Sequence, residues 1–327
     1  VPKSDLSIAV DFSGRPQPHA GRVIAQERLT HDIVHLTVQL ETPIDYQAGQ
    51  FADVSIEGLD DVARSYSFAT PPSPDGQDTK VSFFVRKVPG GKFSPLVNDQ
   101  QVVGRSVQIK GPMGEFHLYP SEAPAIFIAG GSGLSSILAI LKDMAAAGST
   151  RSVTLLFGAR EERDLYVLDD IAEIERSWRG NFRFVPVLSN LAPEAAWSGE
   201  RGFVTDKIPT LLEKGAHAYL CGPPQMIDRA IQLLEQQGVS QANVHFDRFT
   251  TQADVAAETK QADEENEYSR IAGFFDYAKS GVFHFLGCLA LWAIFFGGPN
   301  IPANVISILT FYVLGDLVFG EDHSTPK

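Results

Sequence analysis

The chain has 327 residues, of which 44% are hydrophobic and 20% charged, so it is long enough for two or three domains with their own cores. Its net charge of −13 argues against a nucleic-acid partner, because a phosphate backbone binds basic surfaces. Its two cysteines, Cys221 and Cys288, exclude a disulfide framework and cannot supply a four-cysteine iron–sulfur or metal site. This sparse cysteine content fits a reducing, cytoplasmic setting.

The first part of the chain is predicted to be a linker followed by a β-barrel. Residues 1–20 contain three prolines and show no regular periodicity, as an extended linker does. Residues 21–120 contain short runs rich in β-branched and aromatic residues, separated by turn residues at regular spacing. This pattern predicts a small antiparallel barrel domain.

Residues 121–250 alternate between apolar strand-like runs and segments with helical spacing. The strand-like runs are APAIFIAGG, RSVTLLFGAR, NFRFVPVLSN, AHAYLCGPP and NVHFDRF. The helical segments between them are SGLSSILAILKDMAAAG, LYVLDDIAEIERSW, TDKIPTLLEKG and QMIDRAIQLLEQQG. Alternation of this kind predicts an α/β domain with a five-stranded parallel sheet and helices on both faces.

The last part of the chain changes composition twice. Residues 251–270 are polar and acidic and are predicted to form a solvated linker. Residues 271–327 contain two apolar runs, 281–298 and 303–320, each at the short end of the roughly 17–25 residues that span a bilayer. They predict a transmembrane helical hairpin, whereas the alternative is a pair of buried core helices.

The charges beside these apolar runs predict the topology of the hairpin. Arg270 and Lys279 precede the first run, and the turn between the runs carries no charge. By the positive-inside rule, both ends of the hairpin face the cytoplasm. The sequence therefore predicts a protein of the inner membrane whose other domains lie on the cytoplasmic side.

The tetrapeptide Arg64-Ser65-Tyr66-Ser67 ends an alternating apolar and polar run. A guanidinium binds a diphosphate through two parallel hydrogen bonds, and an aromatic ring two residues further along a strand points to the same side. The ring of Tyr66 can lie on a planar heterocycle, to which Ser67 can donate a hydrogen bond. A flavin dinucleotide requires these groups. The alternative is an edge strand with an ordinary surface arginine and a half-buried tyrosine.

A glycine-rich turn stands where the first predicted parallel strand leads into its helix. It consists of Gly130, Gly131, Ser132 and Gly133. Glycines at this place allow a diphosphate to approach the backbone amides and the amino end of the helix. The alternative is a tight turn without a ligand.

A second glycine-containing turn, KVPGGKFS, follows a barrel strand. Gly90 and Gly91 allow close backbone approach, and Ser94 is predicted to start a short helix whose amides face a phosphate. The alternative is a hairpin turn. Cys221 ends the fourth predicted parallel strand, at the sheet edge where ligands bind, so its thiol can pack against a nicotinamide. The alternative there is a small buried core residue.

Six motifs occur in an order and spacing that resemble the ferredoxin–NAD(P)H reductase superfamily, most of all the reductase components of bacterial aromatic-ring and alkane oxygenases. They are RSYS, GGKFS, IAGGSGLSSIL, LLFGAREERDLY, YLCGPPQM and HFDRF. The resemblance covers about residues 20–250. It implies an FAD-binding antiparallel barrel followed by an NAD-binding domain.

The resemblance also implies residue roles in the FAD site. Arg64 would pair with the FAD diphosphate, Tyr66 would stack on the isoalloxazine, and Ser67 would bond near N5. The remaining residues implied at the FAD site are Gly91, Lys92, Phe93 and Ser94. With Cys221, Tyr66 and Ser67 would form the catalytic group.

For the dinucleotide, the resemblance implies that Gly130, Gly131, Ser132 and Gly133 hold the diphosphate. The residues implied elsewhere are Gly158, Arg160 and Asp164 near the adenosine, Cys221 and Gly222 by the nicotinamide, and Phe246 and Phe249 with Asp247 near the flavin. A 2′-phosphate requires a fixed basic cluster, but acidic residues surround the two arginines of GAREERDLY. NADH is therefore expected, and NADPH is less favoured.

Both ends of the chain carry shorter resemblances. The segment VPKSDLSI resembles the one that follows a plant-type [2Fe–2S] domain, which implies a cluster on an upstream domain or a separate ferredoxin. The tail, with LGDLVFGEDHSTP, is similar to the early membrane segments of alkane-monooxygenase-type di-iron hydroxylases. No metal ligand is expected within this chain, His284 and His323 included.

Together these features predict a flavin-dependent NADH oxidoreductase. It would pass electrons through FAD to an iron–sulfur centre and on to a membrane di-iron hydroxylase, which the same polypeptide can carry. One alternative is a stand-alone membrane-anchored reductase that serves a separate oxygenase. The other is a non-catalytic assembly subunit that has kept the fold.

Overall fold

The computed structural model describes residues 16–59, 62–192 and 194–249. The predicted acidic linker at 251–270 and the predicted transmembrane hairpin at 271–327 lie outside the described residues. Among the helices that are described, none is both long and apolar enough to cross a membrane. The described part contains an antiparallel sheet followed by a parallel sheet.

The antiparallel sheet has the strand order β4-β3-β6-β1-β2-β5. Its strands are β1 Gln17–Arg28, β2 Ile33–Ile44, β3 Phe51–Ile56, β4 Arg64–Ser67, β5 Asp78–Arg86 and β6 Ser106–Met113. A bridge between Phe68 and Phe83 joins the two edges, so the sheet curls towards a barrel. The first strand begins four residues before Gly21, inside the predicted linker at 1–20.

The barrel has its own apolar core because its strands alternate. In β3 every second residue is buried, and β6 follows the same pattern over most of its length. Buried side chains from five strands form the core, including Val23, Leu36, Val54, Phe83 and Ile109. One short helix, α1 (Phe93–Asp99), packs on this core through Phe93 and Val97. It starts at Phe93, one residue before the predicted start.

The parallel sheet has the strand order β10-β9-β8-β7-β11-β12. Its strands are β7 Ala125–Gly130, β8 Val153–Ala159, β9 Phe182–Leu188, β10 Glu200–Arg201, β11 His217–Gly222 and β12 Val244–Arg248. The prediction of five strands is therefore wrong by one. The additional strand, β10, has two residues and pairs with the end of β9, and a run of that length has no periodicity to detect.

Helices cover both faces of the parallel sheet, as predicted. They are α2 Leu134–Ala146, α3 Leu168–Ser177, α4 Ile208–Leu211 and α5 Pro224–Gln236. The helix predicted over 205–215 is instead a 3₁₀ turn at Val204–Lys207 followed by the single turn of α4. Pro209 explains the difference, because proline fits the first turn of a helix but not its interior.

The barrel and the parallel sheet share one core cluster. The side of the sheet covered by α2 and α3 packs against barrel residues that include Ile33, Phe84 and Phe116. Phe84 meets Tyr166 edge to face, with ring centroids 5.5 Å apart. This shared core fixes β4 and the carboxyl end of β11 at the same junction.

Candidate flavin and dinucleotide site

Tyr66 presents its ring at the edge of the barrel. Strand β4 pairs antiparallel with β3, so that Tyr66 lies opposite Ala52 and Ser67 opposite Phe51. The ring of Tyr66 packs on Phe93, with centroids 5.4 Å apart and planes tilted by 36°. Burial raises the pKa of Tyr66 well above its ordinary value, so its hydroxyl stays protonated.

Ser67 carries a buried hydroxyl without a hydrogen-bond partner. The residue is 3% exposed, and no hydrogen bond with normal geometry reaches its Oγ. It nevertheless lies close enough to the Asp247 carboxylate to lower the pKa of that group. A buried hydroxyl in this state is a donor that a bound ligand can satisfy.

Asp247 extends this group towards the parallel sheet. Two effects act on the pKa of its carboxyl: burial raises it, and Ser67 lowers it. Burial is the larger effect, so the pKa is raised to about 6. Asp247 lies opposite Cys221 in the pairing of β12 with β11. Ser67, Asp247 and Cys221 therefore converge from the barrel and from two strands of the parallel sheet.

A cavity of about 260 Å³ adjoins this convergence. It lies between the end of the barrel and β12, and Asp247 forms part of its wall. Its lining residues are Phe51, Gly114, Glu115, Phe116, Tyr119, Val244, His245, Phe246 and Asp247. The cavity places open space at the Asp247 end of β12, next to Phe51, which pairs with Ser67.

Cys221 is completely buried. Burial, with a smaller contribution from Asp247, raises the pKa of its thiol well above the ordinary value, although Ser136 lowers it in part. The Cys221 thiol is therefore neutral at neutral pH and is not a thiolate nucleophile. The following residue, Gly222, accepts a 2.9 Å hydrogen bond from the amide of Phe249. This bond holds the segment after β12 over the end of β11.

The two candidate aromatic residues near the flavin differ in their surroundings. Phe249 packs against the core cluster that contains Cys221. Phe246 is 41% exposed and lies beneath the Arg248 guanidinium, 4.6 Å from the centroid of its ring, at the rim of the cavity. Phe249 is thus the aromatic residue that packs beside the Cys221 end of the site.

Arg64 and Lys92 flank the Tyr66–Phe93 pair. Arg64 Nη1 donates a 2.6 Å hydrogen bond to its neighbouring carbonyl, that of Ala63. Among the described residues, no carboxylate pairs with either Arg64 or Lys92. Both cations can therefore meet a diphosphate without first breaking an ion pair there.

The other two residues predicted in the GGKFS turn have structural tasks. Ser94 Oγ accepts a 2.9 Å hydrogen bond from the Val88 amide and so closes the turn. A Cβ on Gly91 would lie 3.1 Å from the Val88 carbonyl oxygen, which explains the glycine by close backbone approach. These two residues shape the turn that presents Lys92 and Phe93.

The glycine-rich turn after β7 fits closely against β11. A Cβ on Gly133 would lie 2.2 Å from the Cys221 carbonyl oxygen, and one on Gly130 would lie 2.6 Å from the Met226 sulfur. No side chain caps the amino end of α2, and Ser132 is engaged through its carbonyl, which accepts from Ser135. The amino end of α2 is thus available to an anion.

Two residues that the sequence did not single out support Gly131. The Tyr166 hydroxyl donates a 2.9 Å hydrogen bond to the Gly131 carbonyl. The second residue, Arg86, belongs to the barrel. Its Nη1 would lie 3.2 Å from a Cβ added to Gly131. Its Nε forms an ion pair with Asp32 at 2.9 Å. The barrel therefore supplies a guanidinium to the turn of the other domain. Sequence patterns could not show this, because the two residues are 45 positions apart in different elements.

The predicted adenosine-side residues have different tasks. A Cβ on Gly158 would lie 2.9 Å from Val204, so this glycine permits close packing. Asp164 accepts from the Glu161 amide at 3.0 Å and faces His31 of the barrel at 3.3 Å, so it stabilises the turn and the junction. Arg160 is exposed and has no carboxylate partner among the described residues.

Comparisons with known proteins agree with this arrangement. Residues 20–118 match the family of oxidoreductase FAD-binding domains, and residues 127–232 match that of oxidoreductase NAD-binding domains. The electron transfer component of the xylene/toluene monooxygenase of Pseudomonas putida is 41% identical over 254 residues, which cover 76% of this chain and 71% of that protein. The chain belongs to the FAD- and NAD-binding reductase components of bacterial oxygenases.

Two further relatives support the same family assignment. The reductase component of phenol 2-monooxygenase from Pseudomonas sp. (strain CF600) is 37% identical, with 80% of this chain and 76% of that protein covered. A solved ferredoxin reductase of a carbazole 1,9a-dioxygenase is 30% identical with a TM-score of 0.65, covering 72% of this chain and 70% of that one. The reductase is thus an FAD- and NAD-dependent oxidoreductase with the fold that its motifs predict.

The residues of the reductase fit the two nucleotides. The buried Ser67 hydroxyl, the Tyr66 ring packed on Phe93 and the two cations without a carboxylate partner match a flavin ring and its diphosphate. The uncapped amino end of α2 beside Arg86 matches a second diphosphate. Both sets of groups lie at the junction of the barrel with the parallel sheet.

Proposed function

We propose that this reductase takes electrons from NADH and passes them through FAD to a [2Fe–2S] centre that supplies a membrane-bound di-iron hydroxylase. Support comes from the relatives, which are named as electron-transfer or reductase components of oxygenases. Cys221 is buried and Cys288 is the only other cysteine, so the cluster belongs to a preceding domain or to a separate ferredoxin.

The observation that carries the proposal is the convergence of Ser67, Asp247 and Cys221 beside Tyr66. When bound, FAD accepts a hydride from NADH and releases electrons one at a time to an iron–sulfur acceptor. Tyr66 provides the aromatic face that orients the flavin ring, and Ser67 provides the donor that fixes its edge. Cys221 lies buried directly behind this group and adds a neutral side chain to it, without a charge that would face the nicotinamide.

Asp247 can hold or release a proton near neutral pH. Its pKa of about 6 means that both protonation states are populated between roughly pH 5 and pH 7. The carboxyl lies between the Ser67 hydroxyl and the cavity, so a proton taken up from solvent can reach the buried serine. This is the proton-handling group that the described site offers.

The preference for NADH over NADPH follows from the charges after β8. Arg163 Nε pairs with Glu161 at 2.9 Å, and Glu162 is its neighbour. Arg160 is therefore the one arginine of this segment that could bind a 2′-phosphate. The phosphate of NADPH would also lie beside the carboxylates of Glu161 and Glu162. We expect NADH to be the better substrate for this reason.

The membrane part of the proposal depends on the sequence of residues 281–320. Two apolar runs at the short end of spanning length follow an acidic linker, and the preceding charges favour a cytoplasmic reductase at the inner membrane. Such a segment would contact the lipid bilayer and keep the reductase close to its acceptor, which raises the local concentration of donor and acceptor. Fractionation of cells that express the full chain tests this directly. Recovery in the high-salt supernatant would contradict it.

The electron-transfer part can be tested with purified full chain reconstituted with FAD. Under anaerobic conditions, NADH should bleach the flavin absorbance near 450 nm, a typical flavin band. A [2Fe–2S] ferredoxin added afterwards should be reduced in proportion to the flavin. Protein that binds no FAD would contradict the whole proposal. Flavin that is bleached but does not reduce the ferredoxin would contradict the iron–sulfur step alone.

A further inference from the structure

Tyr166 is a buried tyrosine whose hydroxyl reaches the glycine-rich turn from the segment before α3. It is 4% exposed. Its ring meets Phe84 of the barrel and Phe157 of β8 edge to face, with centroids 5.5 Å and 5.6 Å apart. Burial raises the pKa of Tyr166 well above its ordinary value, so the hydroxyl keeps its proton throughout the neutral range. Tyr166 is therefore a permanent hydrogen-bond donor that its ring contacts hold in one place.

The Gly131 carbonyl is the group that this donor holds. It accepts a 2.9 Å hydrogen bond from the Tyr166 hydroxyl and a second hydrogen bond from the Leu134 amide. A carbonyl oxygen has two lone pairs, so these two donors satisfy it. Tyr166 and Leu134 are both buried, and the carbonyl is therefore directed towards the interior of the protein.

The peptide unit between Gly131 and Ser132 carries this orientation to the ligand edge of the sheet. The C=O and the N–H of one trans peptide point in opposite directions. A Gly131 carbonyl that faces the buried Tyr166 therefore leaves the Ser132 N–H pointing outwards at the carboxyl end of β7. Ser132 is half-buried at this place, whereas the following residue, Gly133, is buried against β11.

The conformation of Gly131 does not by itself keep this orientation. Its φ is +54°, in the left-handed region that glycine enters without steric cost. Because glycine has no Cβ, the peptide unit can also turn over and direct the carbonyl to the ligand edge. That orientation would place a partial negative charge beside the uncapped amino end of α2, whereas the observed one adds an N–H there. The orientation of one peptide thus decides which charge the turn presents to an anion.

We propose that Tyr166 is a positioning residue that fixes the Gly131–Ser132 peptide with its N–H towards the diphosphate of the bound dinucleotide. The inference deepens the proposed function and rests on it for the identity of the anion. Tyr166 acts through the backbone and does not touch the ligand. Removal of its hydroxyl should therefore weaken binding of the diphosphate and leave the hydride-transfer step unchanged.

The test uses the FAD-loaded full chain and its Tyr166→Phe variant, with Tyr46→Phe as the matched control. Tyr46 is 2% exposed in the barrel core, and its hydroxyl also donates to a carbonyl, that of Thr70, at 3.1 Å. Each substitution keeps the ring and removes one buried hydroxyl. The two variants should therefore lose a similar amount of stability in denaturant unfolding, so that stability alone cannot separate them.

Two ligands separate the diphosphate from the rest of the dinucleotide. Calorimetric titration with ADP-ribose measures binding of a diphosphate without a redox step, and adenosine, which carries no phosphate, is measured as a competitor of NADH. For Tyr166→Phe we expect the Kd for ADP-ribose and the KM for NADH to rise about fivefold, the size of one neutral hydrogen bond. The Ki for adenosine, the kcat and the FAD content should not change. Tyr46→Phe should match the unmodified reductase in all five quantities.

An unchanged Kd for ADP-ribose in Tyr166→Phe would overturn the proposal. An equal rise in the Kd for ADP-ribose and the Ki for adenosine would also overturn it, because a general disturbance of the site would then be the cause. The same rise in Tyr46→Phe would do so too. If NADH fails to reduce the flavin of the unmodified protein, the electron-transfer proposal fails, whereas the ADP-ribose titration still decides the role of Tyr166.

Discussion

The flavin half and the dinucleotide half of the site are built in opposite ways. In the flavin half, side-chain groups are left without partners: the buried Ser67 hydroxyl, and the cations of Arg64 and Lys92, which have no carboxylate partner in the described residues. In the dinucleotide half, glycines lie so close to other chain segments that no side chain fits, with Gly130 and Gly133 against α5 and β11.

Because of this difference, small substitutions in the two halves should affect catalysis and stability differently. On the proposed function, the flavin half would bind through side-chain atoms that the fold does not use, so a small substitution there should change catalysis and leave stability intact. On the proposed function, the dinucleotide half would bind through backbone amides of a turn whose glycines pack closely against other segments. A small substitution there should damage the fold before binding can be measured.

The largest effect is expected for Gly133→Ala. The new Cβ would lie 2.2 Å from the Cys221 carbonyl oxygen, and neither backbone segment can move freely. The free energy of unfolding should fall by about 3 kcal/mol or more, at the upper end for overpacking. Denaturant unfolding measures this. Ser132→Ala in the same turn is the control, because that position already carries a Cβ. Equal stability of the two variants would contradict the packing explanation.

The second largest effect is expected for Ser67→Ala. No hydrogen bond with normal geometry joins the hydroxyl to the protein, so the free energy of unfolding should stay within about 0.5 kcal/mol of the original value. Loss of one oriented donor should slow flavin reduction by NADH about 100-fold. Stopped-flow absorbance under anaerobic conditions gives the rate.

Ser82→Ala is the matched control for that variant. Ser82 is 1% exposed in β5, and its hydroxyl also lacks a partner. It should leave the rate of flavin reduction unchanged. Equal slowing in both variants would show that the effect comes from the barrel core and not from the flavin edge.

A tenfold effect is expected for Arg86→Gln, which removes the guanidinium that the barrel supplies to Gly131. A charge-assisted hydrogen bond contributes about 1.5–3 kcal/mol, so the KM for NADH should rise about tenfold or more with little change in kcat. Lys87→Gln is the control, since the neighbouring Lys87 pairs with Asp99 at 2.7 Å. Steady-state kinetics with both variants decide. Unchanged KM in Arg86→Gln would remove Arg86 from the dinucleotide site.

A pH-dependent effect is expected for Asp247→Asn. Because burial raises the pKa of Asp247 to about 6, the protonated carboxyl stabilises the fold fully below the ordinary value of 3.8. This contribution is lost as the pH rises through 6. The asparagine variant does not titrate there, so it should gain stability relative to the original protein between pH 4 and about pH 7. Denaturant unfolding at several pH values measures the difference, and a difference that does not vary with pH would contradict the assigned pKa.

The smallest effect is expected for Glu161→Gln. It frees Arg163 from a surface ion pair, and such pairs contribute about 0.2–1 kcal/mol. The ratio of kcat/KM for NADPH to that for NADH should rise by a factor of about 2–5. Kinetics with both donors measure the ratio. A lower ratio would show that Glu161 does not disfavour the 2′-phosphate.

The sequence predicted most of the fold and the positions of candidate groups that depend on local pattern. Strand–helix alternation predicted the parallel sheet, and the spacing of Arg64, Tyr66 and Ser67 placed them on one short strand. It missed β10, which is too short for periodicity, and Pro209 divided a predicted helix. It could not show Arg86 at Gly131, because that contact forms only when the two domains share a core.

The same limit applies to hydrogen bonds that the candidate residues make within the chain. The Ser94 hydroxyl accepts from the Val88 amide and Asp164 accepts from the Glu161 amide, and both contacts form only in the folded chain. A sequence shows which donors and acceptors exist and not which of them are already satisfied. Both serines are buried, but Ser94 accepts from the Val88 amide, whereas no hydrogen bond with normal geometry reaches the Ser67 hydroxyl.

The most direct test of the central claim is one anaerobic stopped-flow comparison of the FAD-loaded full chain with its Ser67→Ala and Ser82→Ala variants after mixing with NADH. The account predicts equal FAD content and equal stability in all three, rapid bleaching in the original protein and Ser82→Ala, and bleaching about 100-fold slower in Ser67→Ala. Equal bleaching rates in all three proteins would contradict it, because the unpartnered hydroxyl would then have no part in the reaction.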